Sequence, residues 1–359
     1  MATTHQIALI PGDGIGVEVV EAACKVLDLA AELHGGFRLA YTSFPWSCRY
    51  YLEHGRMAPD DYLKILRDFE AIFLGAVGFP GVPDHVSLWG LLLPIRRTFE
   101  QYVNLRPIKL LRGIESPLAR KTPADIDMLV VRENTEGEYS NMGGRLHVGK
   151  PHEVVVQNTV FTRVGVERVI RYAFELARKT GRNHLTSATK SNGINYTMPY
   201  WDELFAEIGR DYPEVVTQQV HIDALSAMFV LRPERLKVVV ASNLFGDILT
   251  DLGAAIAGSI GIAPSGNLNP SGEYPSMFEP VHGSAPDIAG KGIANPIGQI
   301  WSGAMMLEHL GYADVAQAIL NAVESVLEQG QVRTPDLGGR ATTLEMTEAI
   351  CNALRALDR

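Results

Sequence analysis

The chain has 359 residues, of which 46% are hydrophobic and 20% charged, and its formal net charge is −9. This length allows one large core or two lobes, while the acidic balance does not favour nucleic acid or anionic membranes as partners. No stretch approaches the roughly 20 apolar residues of a membrane span, and the N-terminal residues lack a signal-peptide pattern. Cys24, Cys48 and Cys351 form no metal or disulfide pattern, so we expect reduced thiols and a cytoplasmic protein.

Short runs rich in β-branched residues alternate with amphipathic segments at the start of the chain. Residues 6–10, 37–44 and 70–78 are predicted strands, and residues 17–33 and 58–69 are predicted helices. This alternation is typical of an α/β fold with a mostly parallel sheet.

The middle of the chain continues the alternation after a predicted strand at 126–134. A polar, glycine-rich segment precedes residues 145–162, where two predicted strands flank a Gly-Lys-Pro turn. Further strands are predicted at 184–190, 215–223 and 236–242, with helices at 164–180, 198–210 and 245–257. A glycine- and proline-rich segment follows, and predicted helices at 297–310, 313–329 and 342–357 close the chain. We expect two lobes, one from the middle and one from the two ends together.

The segment IPGDGIG, residues 10–16, follows a strand and opens a helix, as the phosphate-binding turn of a Rossmann fold does. Its glycines lack the GxGxxG spacing, and the strand at 37–44 ends without the acidic residue that would bind a ribose. We therefore interpret the segment as a tight turn. The GxxxxGK[ST] pattern of a P-loop is also missing.

Asp247 and Asp251 are four residues apart in a predicted helix, so both carboxylates lie on one face. Like charges at this spacing cost about 0.2–0.5 kcal/mol. Asp223 ends a predicted strand, and open α/β sheets bind ligands at the carboxyl ends of their strands. Two or three such carboxylates suit Mg²⁺ or Mn²⁺; the alternative is a solvated acidic face.

Basic residues are candidates for binding anions near these carboxylates. Arg96, Arg106 and Arg132 can each bind a carboxylate in bidentate fashion, although an arginine taken alone more often forms a surface salt bridge. Lys190 ends a predicted strand and Tyr139 ends a Glu-rich loop. Both side chains can transfer protons where burial or nearby charge adjusts their pKa.

Together these segments resemble the β-decarboxylating dehydrogenase family, which includes isocitrate, 3-isopropylmalate, homoisocitrate, tartrate and D-malate dehydrogenases. The resemblance covers nearly the whole chain and rests on IPGDGIG, IRRTFEQYVNLRP, RENTEGEY, ATKSNG, SNLFGDILTDLG and EPVHGSAPDIAGKGIANP. The finer similarity, in SCRYYLEHGRMAPDD, GAVGFPGVPDHVSLWGLLL and PYWDE, is to the tartrate and D-malate branch.

The resemblance implies an α/β, two-lobed fold of the isopropylmalate/isocitrate dehydrogenase type with a non-Rossmann cofactor site. The large cofactor-binding lobe would comprise residues 1–104 and 261–359, and the small lobe residues 105–260. The resemblance also implies a homodimer with a projecting β arm, about residues 145–162, at its interface. Lys190 and Asp223 would then enter the active site of the neighbouring subunit.

The resemblance further implies a role for each candidate residue. Tyr139, Lys190 and Asp223 would be catalytic, and Asp223, Asp247 and Asp251 would hold Mn²⁺ or Mg²⁺. The substrate would be bound by Arg96, Arg106 and Arg132, with Trp89, Leu92 and Leu93 lining the pocket for its C3 substituent. The cofactor would contact His282, Gly283, Ser284, Ala285, Asp287, Ile288 and Asn295. Because Asp287 would repel a 2′-phosphate, we expect NAD. The tartrate branch also has a monovalent-cation requirement, for which K⁺ is the candidate and no motif is recognisable.

The implied activity is the oxidation of a 2-hydroxy dicarboxylic acid, either D-malate to pyruvate and CO₂ or tartrate to oxaloglycolate, with glycerate formed from meso-tartrate. Gly90 and Leu92 replace the hydroxyl and amide of isocitrate enzymes, which argues against isocitrate. Trp89 replaces the acid usual in isopropylmalate enzymes, and its bulk predicts a small C3 group. The alternatives are a 3-isopropylmalate dehydrogenase, a catalytically silent regulatory subunit of the family and, from another class, a magnesium-dependent phosphoryl-transfer enzyme.

Overall fold

The computed structural model describes residues 2–357. Within this range the β-strands are β1 Thr3–Gly12, β2 Phe37–Ser43, β3 Ala71–Ala76, β4 Val103–Lys109, β5 Asp127–Glu133, β6 Gly137–Leu146, β7 Val154–Val160, β8 His184–Thr189, β9 Val216–His221, β10 Val238–Ala241, β11 Pro264–Leu268 and β12 Ser276–Pro280.

The α-helices of the same range are α1 Gly16–His34, α2 Cys48–His54, α3 Tyr62–Leu66, α4 Asp84–Ser87, α5 Leu93–Thr98, α6 Arg163–Lys179, α7 Thr197–Gly209, α8 Ile222–Leu231, α9 Asn243–Ile256, α10 Ile297–His309, α11 Ala313–Gln329 and α12 Thr343–Leu357. A π-helical turn, Leu88–Leu92, joins α4 to α5. Single 3₁₀ turns lie at Pro233–Arg235, Ile260–Ile262 and Pro335–Leu337.

In the described part of the chain, ten strands form one sheet in the order β2-β1-β3-β12-β11-β4-β5-β10-β8-β9. Six of its nine strand pairs are parallel. The antiparallel pairs lie at the centre, where β11 pairs with β12 and β4 pairs with both β11 and β5. The predicted fold class is therefore confirmed: the chain is α/β with a mostly parallel sheet.

Strands from the two ends of the chain lie side by side in one half of the sheet, where β11 and β12 adjoin β1–β3. The other half consists of β5, β8, β9 and β10, which come from the middle of the chain. β4 lies between the two sets. The lobe boundaries given above stay a prediction, but this arrangement puts the functional segments on both sides of one central strand.

The core forms because continuous apolar segments are covered on both faces. All six residues of β3, AIFLGA, are buried, as expected for a parallel strand between helical layers. Helix α10 is buried from Ile297 to Leu307 and packs against α1, α11 and β12. A helix that is apolar on most of its surface is stable only inside the protein.

Three predicted elements differ from the structure. The predicted helix at 58–69 is only the short α3, while α2 was missed. Ser47 caps α2, since its hydroxyl accepts a hydrogen bond from Tyr50 N, and the Asp13 carboxylate accepts one from Cys48 N. The strands β11 and β12, in the glycine- and proline-rich segment after residue 257, were also not predicted. The arm was predicted to start at residue 145, but its first strand, β6, starts at Gly137.

β6 and β7 form a separate antiparallel two-stranded sheet. Much of its apolar surface is exposed, including Val154, Val155 and Val156. None of the helices in residues 2–357 is long and apolar enough to cross a membrane.

Candidate active site

A cleft lies at the carboxyl ends of β3, β12 and β5. Its floor is formed by Gly75–Val77 and Pro280–Gly283, and its walls carry Arg96, Arg106, Arg132, Tyr139 and Asp247. Its empty space, open mouth included, is about 770 Å³. The structure thus brings together the three predicted arginines, one predicted metal ligand and the predicted tyrosine, which come from segments more than 150 residues apart.

Arg106 and Arg132 share one carboxylate. The Asp247 Oδ1 atom accepts hydrogen bonds from Arg106 Nη1, at 3.3 Å, and from Arg132 Nη1. Thr250 Oγ1 accepts a second bond from Arg106, and Asn243 Oδ1 accepts two from Arg132. The two guanidinium groups are therefore fixed before any ligand binds.

Neighbouring charges and burial set the protonation of this cluster. Burial, followed by repulsion from Arg106, lowers the pKa of Arg132 to about 10. Burial alone would raise the pKa of Asp247, but Arg132, Arg106 and Arg96 outweigh it and hold the pKa below 3.8. Near neutral pH the cluster therefore carries charged arginines and an ionised Asp247.

The local sequence explains how Arg132 can lie so close to α9. Gly246 faces it, and a Cβ at this glycine would lie 2.6 Å from Arg132 Cβ. The N-terminus of α9 is held by Glu138, whose carboxylate accepts hydrogen bonds from Ser242 Oγ at 2.8 Å and Leu244 N at 3.0 Å. An anion at this end of a helix is stabilising.

Arg96 has its own partner in the cleft. Its Nη2 donates to Glu279 Oε1 at 2.7 Å, and both side chains are buried. Asn267 Nδ2 donates to the same oxygen at 2.7 Å. The Nε atoms of Arg96 and Arg106 are buried and have no hydrogen-bond partner among residues 2–357. Unpaired buried donors are costly; the two side chains nevertheless line the cleft, where their positive charge suits an anionic ligand.

Tyr139 points its hydroxyl at the same aspartate, donating to Asp247 Oδ2 at 3.3 Å. Its ring lies 5.7 Å from the guanidinium carbon of Arg132. Burial and the charge of Asp247 raise the pKa of Tyr139. The phenol is therefore held protonated near neutral pH and can donate a proton into the cleft.

Asp251 lies one turn after Asp247 on α9. Its pKa is raised by partial burial and by the charge of Asp247, and it has no hydrogen-bond or ion-pair partner within the described range. An aspartate without a counter-ion beside an ionised aspartate fits a divalent cation, because oxygen ligands are those that Mg²⁺ and Mn²⁺ prefer.

Lys190 and Asp223 do not line this cleft. Lys190 Nζ donates to Asp223 Oδ1 at 2.9 Å, and the Asp223 side chain is 68% exposed. The three predicted metal ligands are thus not gathered in one chain, and no group of three or more potential metal ligands occurs among the residues described. This placement leaves Lys190 and Asp223 free to face another subunit.

The wall beside the arginines is apolar. Leu92 and Leu93 line the cleft as predicted, and Leu88 lines it as well. Trp89 is not among the lining residues; its ring instead lies 4.7 Å from the guanidinium carbon of Arg97. Leu88 therefore occupies the position at the cleft that the sequence suggested for Trp89.

The predicted cofactor loop packs on the glycine-rich turn at the start of α1. Ile15 N donates to Ser284 O at 2.8 Å. Gly14 has φ +57°, and a Cβ there would lie 2.0 Å from Ser284 O. Ala285 and Ile288 pack against the apolar start of α1. The tight turn predicted for this segment therefore supports the loop directly.

The other residues of this loop differ in their surroundings. His282 and Gly283 line the cleft; burial lowers the pKa of His282, and its buried Nε2 has no partner among residues 2–357. Asp287 is exposed. Asn295 is buried, and its side chain accepts a hydrogen bond from Ile297 N and donates one to Asp336. Asn295 thus fixes the start of α10, while His282 and Asp287 have polar atoms available to a ligand.

Sequence reasoning missed the partners of the predicted residues. Glu279, Asn243 and Thr250 hold the three arginines, yet they lie far from them in sequence. Of these partners, only Asn243 and Thr250 could have been found from the sequence, because their spacing from Asp247 places all three on one helix face.

A cleft that presents fixed guanidinium groups, an ionised aspartate and a protonated phenol at the carboxyl ends of strands belongs to an α/β enzyme that acts on an anionic substrate. The sequence pattern that describes the isocitrate/isopropylmalate dehydrogenase family matches residues 6–350 of the chain. The chain belongs to this family, which confirms the resemblance seen in the motifs.

The relatives are similar over nearly their whole length. The chain is 60% identical to a probable tartrate dehydrogenase/decarboxylase of Bacillus subtilis, covering 98% of each chain. It is 57% identical to D-malate dehydrogenase (decarboxylating) of Escherichia coli, covering 99% of each. The structure of isocitrate dehydrogenase from Methylococcus capsulatus superposes with a TM-score of 0.87 at 36% identity, covering 98% of this chain and 99% of that one.

Proposed function

We propose that the chain catalyses the NAD- and divalent-metal-dependent oxidation of D-malate, with decarboxylation to pyruvate and CO₂, and the oxidation of tartrate to oxaloglycolate. From meso-tartrate it would give glycerate and CO₂, a decarboxylation in which the NADH formed is oxidised again, so that no net oxidation occurs. The observation that carries the proposal is the convergence of Arg96, Arg106 and Arg132 on one cleft with Asp247 and Tyr139. The names of the relatives support the same substrates.

The arginines bind the two carboxylates of the substrate. All three side chains line the cleft, and charge-assisted bonds between a guanidinium group and a carboxylate are among the strongest. The apolar wall of Leu88, Leu92 and Leu93 faces the C3 substituent. A wall of three leucines disfavours a third carboxylate there, because its charge would lose hydration without gaining a partner.

Two residues move the protons. Lys190 of the partner subunit would take the proton of the C2 hydroxyl, and bound NAD⁺ would supply the hydride acceptor for this oxidation. Tyr139 then delivers its phenolic proton to C3 after the carboxylate has left as CO₂. The raised pKa of Tyr139 supports the second role, since the group is protonated when it is needed.

Asp247 and Asp251, together with Asp223 of the partner subunit, hold Mg²⁺ or Mn²⁺. When bound, this ion supplies Lewis-acid stabilisation of the negative charge that develops on the substrate oxygen. The loop from His282 to Ile288 would bind the adenosine half of NAD, and the exposed Asp287 carboxylate would accept hydrogen bonds from the ribose hydroxyls and disfavour NADP. K⁺ is a further candidate cofactor, with no site assigned.

The active form is a cytoplasmic homodimer. Its interface would use the exposed apolar residues of α8 and α9, namely Val230, Leu231, Leu244 and Ile248, and the exposed valines of the β6–β7 arm. The Lys190–Asp223 pair lies outside the cleft of its own chain, as the shared active site requires.

Complementation between inactive variants tests the shared site. Lys190→Ala and Tyr139→Phe are each expected to keep only a small residual activity alone. After mixing and subunit exchange, a mixed dimer contains one site with both native residues, so about a quarter of the wild-type activity should return. If no activity returns although the subunits exchange, each chain uses its own Lys190 and the shared site is wrong.

The substrate proposal is tested with Mn²⁺ and K⁺ present, by NADH formation for D-malate, L-tartrate and 3-isopropylmalate and by glycerate formation for meso-tartrate, whose conversion to glycerate leaves no net NADH. The ratio kcat/KM is compared for D-malate, L-tartrate, meso-tartrate and 3-isopropylmalate. D-malate and the tartrates are expected to be preferred. A preference of tenfold or more for 3-isopropylmalate, which the leucine wall could accommodate, would make the chain an isopropylmalate dehydrogenase instead. NAD binding without turnover of any of the four would point to a silent subunit.

A further inference from the structure

Tyr139 lies in an irregular part of the β6–β7 arm. The strand pairing shifts between Gly137, opposite Val160, and Met142, opposite Asn158. Tyr139 lies within this bulge, and Asn141 has a positive φ of 57°. Bulges redirect side chains and are frequent beside active sites. The direction of the Tyr139 phenol is therefore set by whatever fixes the bulge.

Side-chain hydrogen bonds hold the bulge from within the arm and from outside it. Ser140 Oγ donates to Asn158 O at 2.6 Å, and Gln157 Nε2 donates to Glu138 O at 3.3 Å; both bonds lie within the arm. From outside it, the Glu138 carboxylate is bonded to the start of α9, and Arg97 Nη2 donates to the carbonyl of the tyrosine itself, Tyr139 O, at 2.6 Å. Arg97 thus holds the backbone of the tyrosine from the opposite wall of the cleft.

Arg97 is itself fixed by the wall from which it comes. Its guanidinium carbon lies 4.7 Å from the centre of the Trp89 ring, a distance at which a cation and an aromatic face attract each other. Trp89 lies on the π-helical turn whose Leu88 and Leu92 line the cleft. The same short segment therefore contacts both the C3 side of the cleft and the backbone of Tyr139.

We infer that Arg97 is a positioning residue for Tyr139 and that Trp89 supports it. The hydrogen bond to the Tyr139 carbonyl aims the phenol at the cleft, so the wall that faces the C3 substituent also sets the position of the proton donor. This inference rests on the proposed function, in which Tyr139 protonates C3. Arg97 needs no contact with the substrate for this role.

Arg97→Ala tests the inference. A misplacement of about 1 Å in a catalytic group can cost roughly a hundredfold in rate, so kcat with D-malate should fall about tenfold to a hundredfold. The KM values for D-malate and NAD⁺ should stay within about threefold, and the solvent isotope effect on kcat should rise as proton transfer becomes limiting. Arg97→Lys, which keeps a donor for the carbonyl, should recover part of the rate.

Other outcomes would overturn the inference. The first is a wild-type kcat in Arg97→Ala. The second is a reduced kcat in this variant that is accompanied by raised KM values and an unchanged isotope effect. Arg178→Ala is the matched control, because Arg178 is an exposed arginine on α6 that pairs with Glu175 and lies over the Tyr212 ring, away from the cleft; it should leave kcat unchanged. Trp89→Phe keeps an aromatic face and should be faster than Trp89→Ala.

Tyr139→Phe separates the inference from the proposed function. If Tyr139→Phe turns over like the wild type, the proton-donor role fails, and the inference fails with it. If Tyr139→Phe is slow but Arg97→Ala is not, only the inference fails. Because Arg97 acts through the tyrosine, the double variant should be no slower than Tyr139→Phe alone; additive losses would show that Arg97 acts elsewhere.

Discussion

Removing the charge of Asp251 should have opposite effects with and without a divalent ion. Asp251 lies one turn after Asp247 and has no ion-pair partner within residues 2–357. Like charges at this spacing cost about 0.2–0.5 kcal/mol, and Asp251→Asn removes that repulsion. In the presence of a chelator, the variant should therefore have the same free energy of unfolding as the wild type, or one higher by a few tenths of a kcal/mol.

Asp247→Asn is the variant to compare with Asp251→Asn, because it is the same substitution one helical turn away. Asp247 compensates Arg106 and Arg132, whose side chains are 8% and 5% exposed. Breaking a fully buried ion pair costs about 3–5 kcal/mol. Because the Asp247 side chain is itself 36% exposed, solvent screening reduces the expected loss to about 2 kcal/mol. Without metal, the two substitutions should therefore differ in sign.

Urea unfolding followed by tryptophan fluorescence measures both effects, since the chain has four tryptophans. With Mn²⁺ at about one hundred times its dissociation constant, the wild type should gain about 2.7 kcal/mol. Asp251→Asn should lose most of this gain while remaining stable in the chelator. A variant that keeps the full gain would show that Asp251 is not a metal ligand. A loss above about 1 kcal/mol in the chelator would show that the repulsion argument is wrong.

Two further predictions concern residues outside the metal cluster. Burial would raise the pKa of Glu324, but Lys109 and Arg112 hold it below 4.5, so its stabilising contribution is present above that pH and is lost as the pH falls. Glu324→Gln should therefore cost about 1 kcal/mol near neutral pH, and the difference should shrink below pH 4.5 in urea unfolding; a pH-independent difference would contradict the pairing. At Gly14, a Cβ would meet the carbonyl of Ser284 at 2.0 Å, and the left-handed conformation costs a further 1–2 kcal/mol, roughly. Gly14→Ala should raise the KM for NAD⁺ about tenfold or more and the KM for D-malate far less; equal changes in both would place the defect elsewhere.

The sequence predicted the elements whose pattern is strong. Helix α6 was predicted at 164–180 and lies at Arg163–Lys179, because its buried residues follow one helical face. The strand PSGNL, β11, was missed because it lies in a glycine- and proline-rich segment and all five of its residues are buried. A short strand buried on both faces shows no alternation, and Pro and Gly are unfavourable in strands.

The site was predicted less evenly than the fold. Charged residues such as Arg132 and Asp247 could be proposed from their chemistry and their motifs. Their partners could not, because Asn243 and Glu279 are useful only where the fold brings them within hydrogen-bond distance. Leu88 lines the cleft in place of the predicted Trp89 for a similar reason: the π-helical turn changes which residues of this segment face inwards.

The position of β4 has a mechanical consequence for the cleft. β4 is bonded to β11 on one side and to β5 on the other, so the backbone hydrogen bonds run unbroken beneath the site. Buried amides add cross-links there, as Asn267 accepts hydrogen bonds from Asn104 on β4 and from Asn134 after β5. Any opening or narrowing of the cleft must therefore bend the sheet at β4, and the hydrogen bonds on both sides of this strand resist the bending.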